Sequence, residues 1–236
     1  MKKSLLLVLL LGTGLAWGRV SDKAAPWYQW GWWKPRVEGK IALAKQQEWP
    51  IVFLGDSITH FWESKGKGVF DREFKGLSIL NAANSGDRTE QTIWMAEHLP
   101  WDTMGTKAIM LMIGTNNTGW RPESAESTED TVAGVRAILK VLKDRCPQAK
   151  VLLLAIFPRG ASASDGLRVR NEKINAILPT LCDGKQVVWM NINAKLLEAD
   201  GSTLSKEMAR DLLHPEAKGY EIWAAAVKPW LLEQVK

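Results

Sequence analysis

Five short runs dominated by apolar residues most narrow what this chain can fold into. They cover residues 51–54, 77–81, 107–113, 151–157 and 187–192. A strand with one wet face alternates polar and apolar residues. A near-continuous apolar run instead reads as a strand covered on both faces, the type found inside parallel sheets. Segments with helical spacing lie between these runs. Residues 37–49 have helical composition and end at Pro50, and Ile58, Phe61 and Trp62 recur at helical spacing after Ser57. Asp87 and Glu90 have the spacing of a capping box, which predicts a helix from there to about His98. Residues 123–145 carry Val132, Val135, Ile138, Leu139 and Leu142 on one stripe before Pro147. Helices are also expected over 167–181 and 216–235, the last kinked at Pro229, with weak helical signals over 194–207. This alternation predicts a three-layer α/β, flavodoxin-like fold: a five-stranded parallel sheet of order 2-1-3-4-5, with helices on both faces.

The chain has 236 residues, 46% hydrophobic and 24% charged, enough for a core that needs neither metal nor disulfide. Residues 1–18 read as a signal peptide. Lys2 and Lys3 lead, residues 5–11 form an apolar core too short to span a bilayer, and Ala16-Trp17-Gly18 offers a cleavage site. The expectation is an exported protein, periplasmic or secreted, with no stable membrane insertion. The formal charge of +5 falls to about +3 without that segment. With no basic run, this argues against a nucleic-acid partner. Residues 19–49 form a Trp-rich extension to a domain over 50–236. Trp27, Trp30, Trp32 and Trp33 could stack on glycan, or could pack the extension onto the core or onto a second copy in a homodimer. Packing is the preferred reading. Cys146 and Cys182 could pair in an oxidising compartment or remain buried thiols, and the thiols are preferred.

Chemistry is expected where the carboxyl ends of the strands meet helix N-termini. Ser57 follows Gly55-Asp56 at such a junction. On that stretch alone, a helix cap is the better reading of the serine. The other loops reverse the preference. Ser85-Gly86-Asp87, Gly114-Thr115-Asn116 and the segment with Asp211 and His214 reach the same edge of the sheet. Ser57 can attack a carbonyl, His214 can carry its proton, and Asp211 can hold the imidazole tautomer. The N–H groups of Ser57 and Gly86 and the amide of Asn116 can face one oxyanion.

These blocks, Gly55-Asp56-Ser57-Ile58, Ser85 to Thr89, Gly114 to Asn117 and Asp211 to His214, resemble the SGNH (GDSL) hydrolases. The resemblance is strongest to the branch with the platelet-activating-factor acetylhydrolase catalytic subunits. Its blocks span residues 51–220, nearly all of the mature chain, and place the four namesake residues on Ser57, Gly86, Asn116 and His214. It implies hydrolysis of short acyl esters, often acetyl, with no cofactor and no metal. Leu212 departs from the pattern, since relatives commonly carry glycine there.

Asp56, Asn117 and Trp120 are candidate substrate contacts, although Asp56 better suits pinning the turn and packing suits Trp120 equally well. His60 is expected to point away from the sheet edge, His98 to cap its helix end, and Arg88 to form a surface salt bridge. A metallophosphoesterase would need more ligands than three histidines supply. No phosphate loop or dinucleotide fingerprint follows a strand. Thr59 replaces the second glycine of an α/β-hydrolase elbow. A silent glycan-binding module is disfavoured by the intact set of reactive groups. The sequence therefore reads as a serine esterase acting on O-acetylated carbohydrate, polysaccharide or sialoglycan. Phospholipid or lysophospholipid esters are the alternative.

Overall fold

The structure is a computed structural model that describes residues 21–119 and 126–236. Residues 1–18, expected to be a signal peptide, and Trp120 lie outside the described residues. Five strands, β1 (Ile51–Gly55), β2 (Ile79–Asn81), β3 (Ala108–Met112), β4 (Lys150–Leu154) and β5 (Val187–Met190), form one all-parallel sheet of order β2-β1-β3-β4-β5. In register, Ile51 sits beside Ile79 and Ala108, Ala108 beside Lys150, and Val151 beside Val187.

Alternate residues of each strand serve two separate cores, which is why the runs are apolar throughout. Val52, Leu54, Ile109, Leu111, Val151 and Leu153 face one layer. It contains α1 (Trp33–Ala44), α4 (Thr89–His98), α7 (Thr128–Arg145) and α8 (Gly166–Ile177). Ile51, Phe53, Met110, Leu152 and Leu154 face the other. It holds Trp62, α3 (Lys67–Glu73) and α9 (Ala217–Gln234), with Tyr220, Trp223 and Val227 fully buried. Each buried aliphatic side chain contributes roughly 1.5–3 kcal/mol. The chain leaves β1 toward β2 and then crosses back to β3, so the ends of β1 and β3 flank the switch point where such sheets bind ligands.

Several boundaries differ from expectation for local reasons. α1 begins at Trp33 and stops at Ala44, not over 37–49. Pro35 falls in its first turn, where an N–H has no helical acceptor, and Trp49 instead hydrogen-bonds Met104 across the core edge. α4 begins one residue later than the Asp87–Glu90 spacing suggests. Arg88 is its N-cap residue, and the Gln91 side chain accepts the Arg88 N–H at 3.0 Å. β4 ends at Leu154 although 155–157 stay buried, because the Asn175 amide brackets Ile156, accepting its N–H and donating to its carbonyl. The loop after β3 contains a short helix, α6 (Thr115–Gly119), and 194–207 yields only a 3-10 turn at Asn193–Leu196. α9 continues through Pro229. His98 closes α4 as expected, with Nδ1 bonded to the Trp94 carbonyl at 2.7 Å and its ring stacked on that indole. Cys146 and Cys182 lie against the same apolar layer as free thiols.

Candidate active site

β1 ends on Gly55, whose φ of 155° is outside the ordinary range for an L side chain, and a Cβ there would strike the Met112 carbonyl oxygen. The chain can therefore turn sharply into α2 (Ser57–His60). Asp56 caps that helix, its Oδ1 accepting the Ile58 N–H at 2.9 Å, and the Tyr220 hydroxyl donates to the Ile58 carbonyl at 2.7 Å. Burial pushes the Asp56 carboxyl up to about 7, against the pull of the Ile58 N–H and the Arg159 charge. Asp56 thus pins the turn from beneath. Ser57 is the first helical residue and faces the cleft.

The His214 ring lies across the opening. Its Nε2 is 2.7 Å from Ser57 Oγ, and its Nδ1 is 2.7 Å from Asp211 Oδ2. Asp211 Oδ1 also accepts the N–H groups of Leu213 (3.1 Å) and His214 (2.8 Å). Partial burial raises the Asp211 carboxyl, but the His214 N–H, the imidazole and the Leu213 N–H outweigh it and hold it at about 2. The carboxylate is therefore ionised and aimed at Nδ1. Leu212 is the one non-glycine with positive φ (58°) among the described residues. This accounts for the glycine expected there. Its carbonyl accepts the Gly160 N–H at 2.8 Å, which ties the histidine loop to the loop after β4.

Opposite the histidine, Gly86 turns with φ 79°, a left-handed conformation suited to glycine. The Asn116 amide donates one N–H to the Asp87 carbonyl at 2.8 Å and has a second to offer. The Asp87 carboxyl points inward, bonded by Trp33 Nε1 at 2.6 Å and Asn84 Nδ2 at 3.0 Å, and burial drives it well above the usual carboxylate range. Ser57, Gly86, Asn116 and His214 share a cleft of about 240 Å³. A hydroxyl, an imidazole with its carboxylate, and convergent N–H donors form an arrangement suited to acyl transfer.

The remaining candidates sort differently. Asp56 and Asn117 are buried and do not line the cleft. Asn117 links Thr89, Glu90 and Glu126 instead. Arg88 is buried rather than superficial, paired with Glu90 in the first turn of its own helix and with Glu126 from a separate segment. His60 turns toward the cleft rather than away from it, with Nδ1 2.8 Å from Ser85 Oγ. Trp33 packs into the core, as preferred, and Trp27 lies against it, but Trp30 and Trp32 also wall the cleft. Phe61, Ser85 and Leu213 complete that wall and were not foreseen. Ser85 is adjacent to Gly86 and His60 lies one turn past Ser57, so a search for polar neighbours of the expected donors would have found them. Among the described residues, no group of three or more His, Cys, Asp or Glu could hold a metal ion, and no helix is long and apolar enough to cross a membrane.

Known proteins resemble this chain over most of its length. Residues 53–222 match the GDSL-like Lipase/Acylhydrolase family. The chain is 27% identical over 203 residues to platelet-activating factor acetylhydrolase IB subunit alpha1 of Bos taurus, covering 86% of this chain and 83% of that one. Its fold is similar to that of a GDSL-like lipase from Bacteroides thetaiotaomicron (TM-score 0.70, 18% identity, 85% and 97% covered). An acetyl xylan esterase from Geobacillus stearothermophilus is similar too (TM-score 0.62, 16% identity, 80% and 96% covered). At such identities the two structures speak for the fold alone, and it is the family match over most of the chain that decides the class. The chain belongs to the GDSL-like lipase/acylhydrolase family and is an ester-hydrolysing enzyme.

Proposed function

We propose that this enzyme removes short acyl groups, acetyl above all, from O-acylated carbohydrate through an acyl-enzyme on Ser57. The observation that carries this reading is the unbroken line Ser57–His214–Asp211 in a small cleft flanked by the indoles of Trp30 and Trp32. His214 Nε2 takes the Ser57 proton as Oγ attacks the ester carbonyl. Asp211 steadies the imidazolium. The N–H groups of Ser57, Gly86 and Asn116 receive the oxyanion, each worth ~3 kcal/mol of barrier. Collapse expels the sugar alcohol, which takes the proton from His214. Water then attacks the acyl-enzyme by the same route in reverse and releases the acid. Indole faces suit the apolar faces of sugar rings, and an exported enzyme would meet such polymers outside the cell.

A second reading, a phospholipid or platelet-activating-factor-like acetyl ester, draws on the relatives named above and on the apolar Phe61 and Leu213 in the wall. Mass spectrometry of acetate release from acetylated xylan, sialoglycan and phospholipid analogues separates the two. Release from a carbohydrate supports the first; release from the phospholipid alone overturns it. Ser57→Ala should lower kcat by ~10⁴-fold or more on any substrate with its melting curve intact, and a variant keeping most of its rate would remove Ser57 from the reaction.

A further inference from the structure

Beside the reacting groups lies a second line of polar side chains that ester hydrolysis as described leaves unused. Ser85 Oγ opens into the same cleft as Ser57, Gly86 and Asn116. It is 2.8 Å from His60 Nδ1. On the far side of that ring, His60 Nε2 faces Glu63 Oε2 at 3.9 Å. Glu63 is clamped in turn by Arg36 (3.1 Å) and Lys40 (2.5 Å), both from α1. Arg36 also donates to the Ala83 carbonyl at 2.9 Å, two residues before Ser85.

The line has a direction. His60 sits among two cations and one carboxylate. Burial and the Arg36 charge lower its pKa to about 4, so the ring is neutral at working pH. A neutral imidazole has one N–H, and electrostatics favours it on Nε2, toward Glu63. With the proton on Nε2, Nδ1 holds a lone pair that can accept the Ser85 hydroxyl proton. What Ser85 shows the cleft is an oxygen with lone pairs and no hydrogen to give. Such an oxygen cannot stabilise an oxyanion, and it sits next to Gly86, among the groups that would hold one. Its natural partner is a donor on the alcohol side of the ester.

We propose that Ser85, oriented by His60, selects esters whose alcohol carries a free hydroxyl beside the acylated oxygen, as a partly acylated sugar does. Ser85 is a specificity-determining contact, and His60 is a positioning residue. The proposal deepens the carbohydrate reading above. It also disfavours a phospholipid whose glycerol oxygens beside the ester are all substituted, but not a lysophospholipid, which keeps a free hydroxyl there.

The test uses two small acetates, 2-hydroxyethyl acetate and 2-methoxyethyl acetate, which differ only in whether that hydroxyl can donate. The readout is the ratio of their kcat/KM values in each variant, with melting curves to establish folding. Wild type should favour the hydroxyl ester, and Ser85→Ala should shrink the ratio by ~10-fold, about what one neutral hydrogen bond allows. His60→Phe should shrink it likewise. His60→Asn, whose side-chain oxygen can replace Nδ1 as acceptor, should keep more of it than His60→Phe. A wild-type ratio near one, or a ratio that Ser85→Ala leaves unchanged, overturns the proposal. So does hydrolysis retained by Ser57→Ala and lost in Ser57→Ala/Ser85→Ala, which would make Ser85 a nucleophile. Because neither acetate is a carbohydrate, this result stands apart from the polymer screen, and either reading can fail alone.

Discussion

Replacing Trp33 with phenylalanine isolates one hydrogen bond on which the oxyanion side of the site rests. Trp33 is fully buried, and its Nε1–H is donated to Asp87 Oδ1 at 2.6 Å. Phenylalanine keeps most of the apolar surface and removes that donor. The Asp87 carboxyl is buried with only Asn84 left to satisfy it, and a buried polar group deprived of its partner costs ~1–3 kcal/mol. A mid-range loss of about 2 kcal/mol corresponds to a fall in Tm of roughly 4–8 °C for a chain of this size. The effect on rate follows from the next link. The Asp87 carbonyl holds the Asn116 amide at 2.8 Å, and Gly86 is its immediate neighbour. If Asp87 shifts, both donors shift, and a misplacement of ~1 Å can cost as much as 10²-fold. Thermal melts and steady-state kinetics on a soluble acetyl ester should together show a lower Tm and a kcat reduced ~10- to 100-fold, with the smaller change in KM. An unchanged Tm would mean that the indole contributes only bulk. A lower Tm with unchanged kcat would mean that Asp87 does not position the donors.

Three further outcomes are expected. Asn116→Ala should reduce kcat by ~10²–10³-fold while the protein still folds, and a near-normal rate would exclude its amide from the oxyanion site. Leu212→Val should destabilise more than Leu212→Gly in denaturant titration. The left-handed conformation costs an L-residue ~1–2 kcal/mol, and more when the side chain is β-branched; equal midpoints would refute the strain. Asp56→Asn should flatten part of the pH dependence of stability. The folded carboxyl titrates at about 7, above its ordinary value of 3.8. The stability it contributes is therefore full below 3.8 and lost as pH rises through 7, up to roughly 4 kcal/mol in all. Melts at either end of that window should differ less in the variant than in wild type, and an identical dependence would refute the assignment.

The sheet was legible because a strand covered on both faces must be apolar at every position, and 51–54 or 108–112 leave no other reading. That Ser57, Gly86 and Asn116 would meet at one cleft was legible for a related reason: glycine, serine and asparagine at the ends of apolar runs have few structural explanations in common. Edges were harder. Residues 155–157 look like more of β4, and only the distant Asn175 side chain shows where the ladder stops. Charge was misread wherever burial was invisible. Arg88 looks like a surface cation in sequence, yet Glu126 reaches it from beyond a separate element. The same limit hid His60 and Ser85, which are 25 positions apart and meaningful only as a pair. For Trp30 and Trp32, spacing could not say that one segment would both fill a core and border a cleft.

Ser57 and His214, the proposed partners in proton transfer, stand on supports of unequal stiffness. Ser57 is welded to the sheet through Gly55 and buried behind Asp56 and Tyr220. His214 rides an irregular connection whose carboxylate is half open to solvent and whose backbone ties include a single link from Leu212 to Gly160. Regions with few buried ties open at lower free energy than the core around them. Warming or mild urea should therefore part the imidazole from the hydroxyl while every strand is still paired, so that inactivation comes first and is undone simply by cooling or dilution.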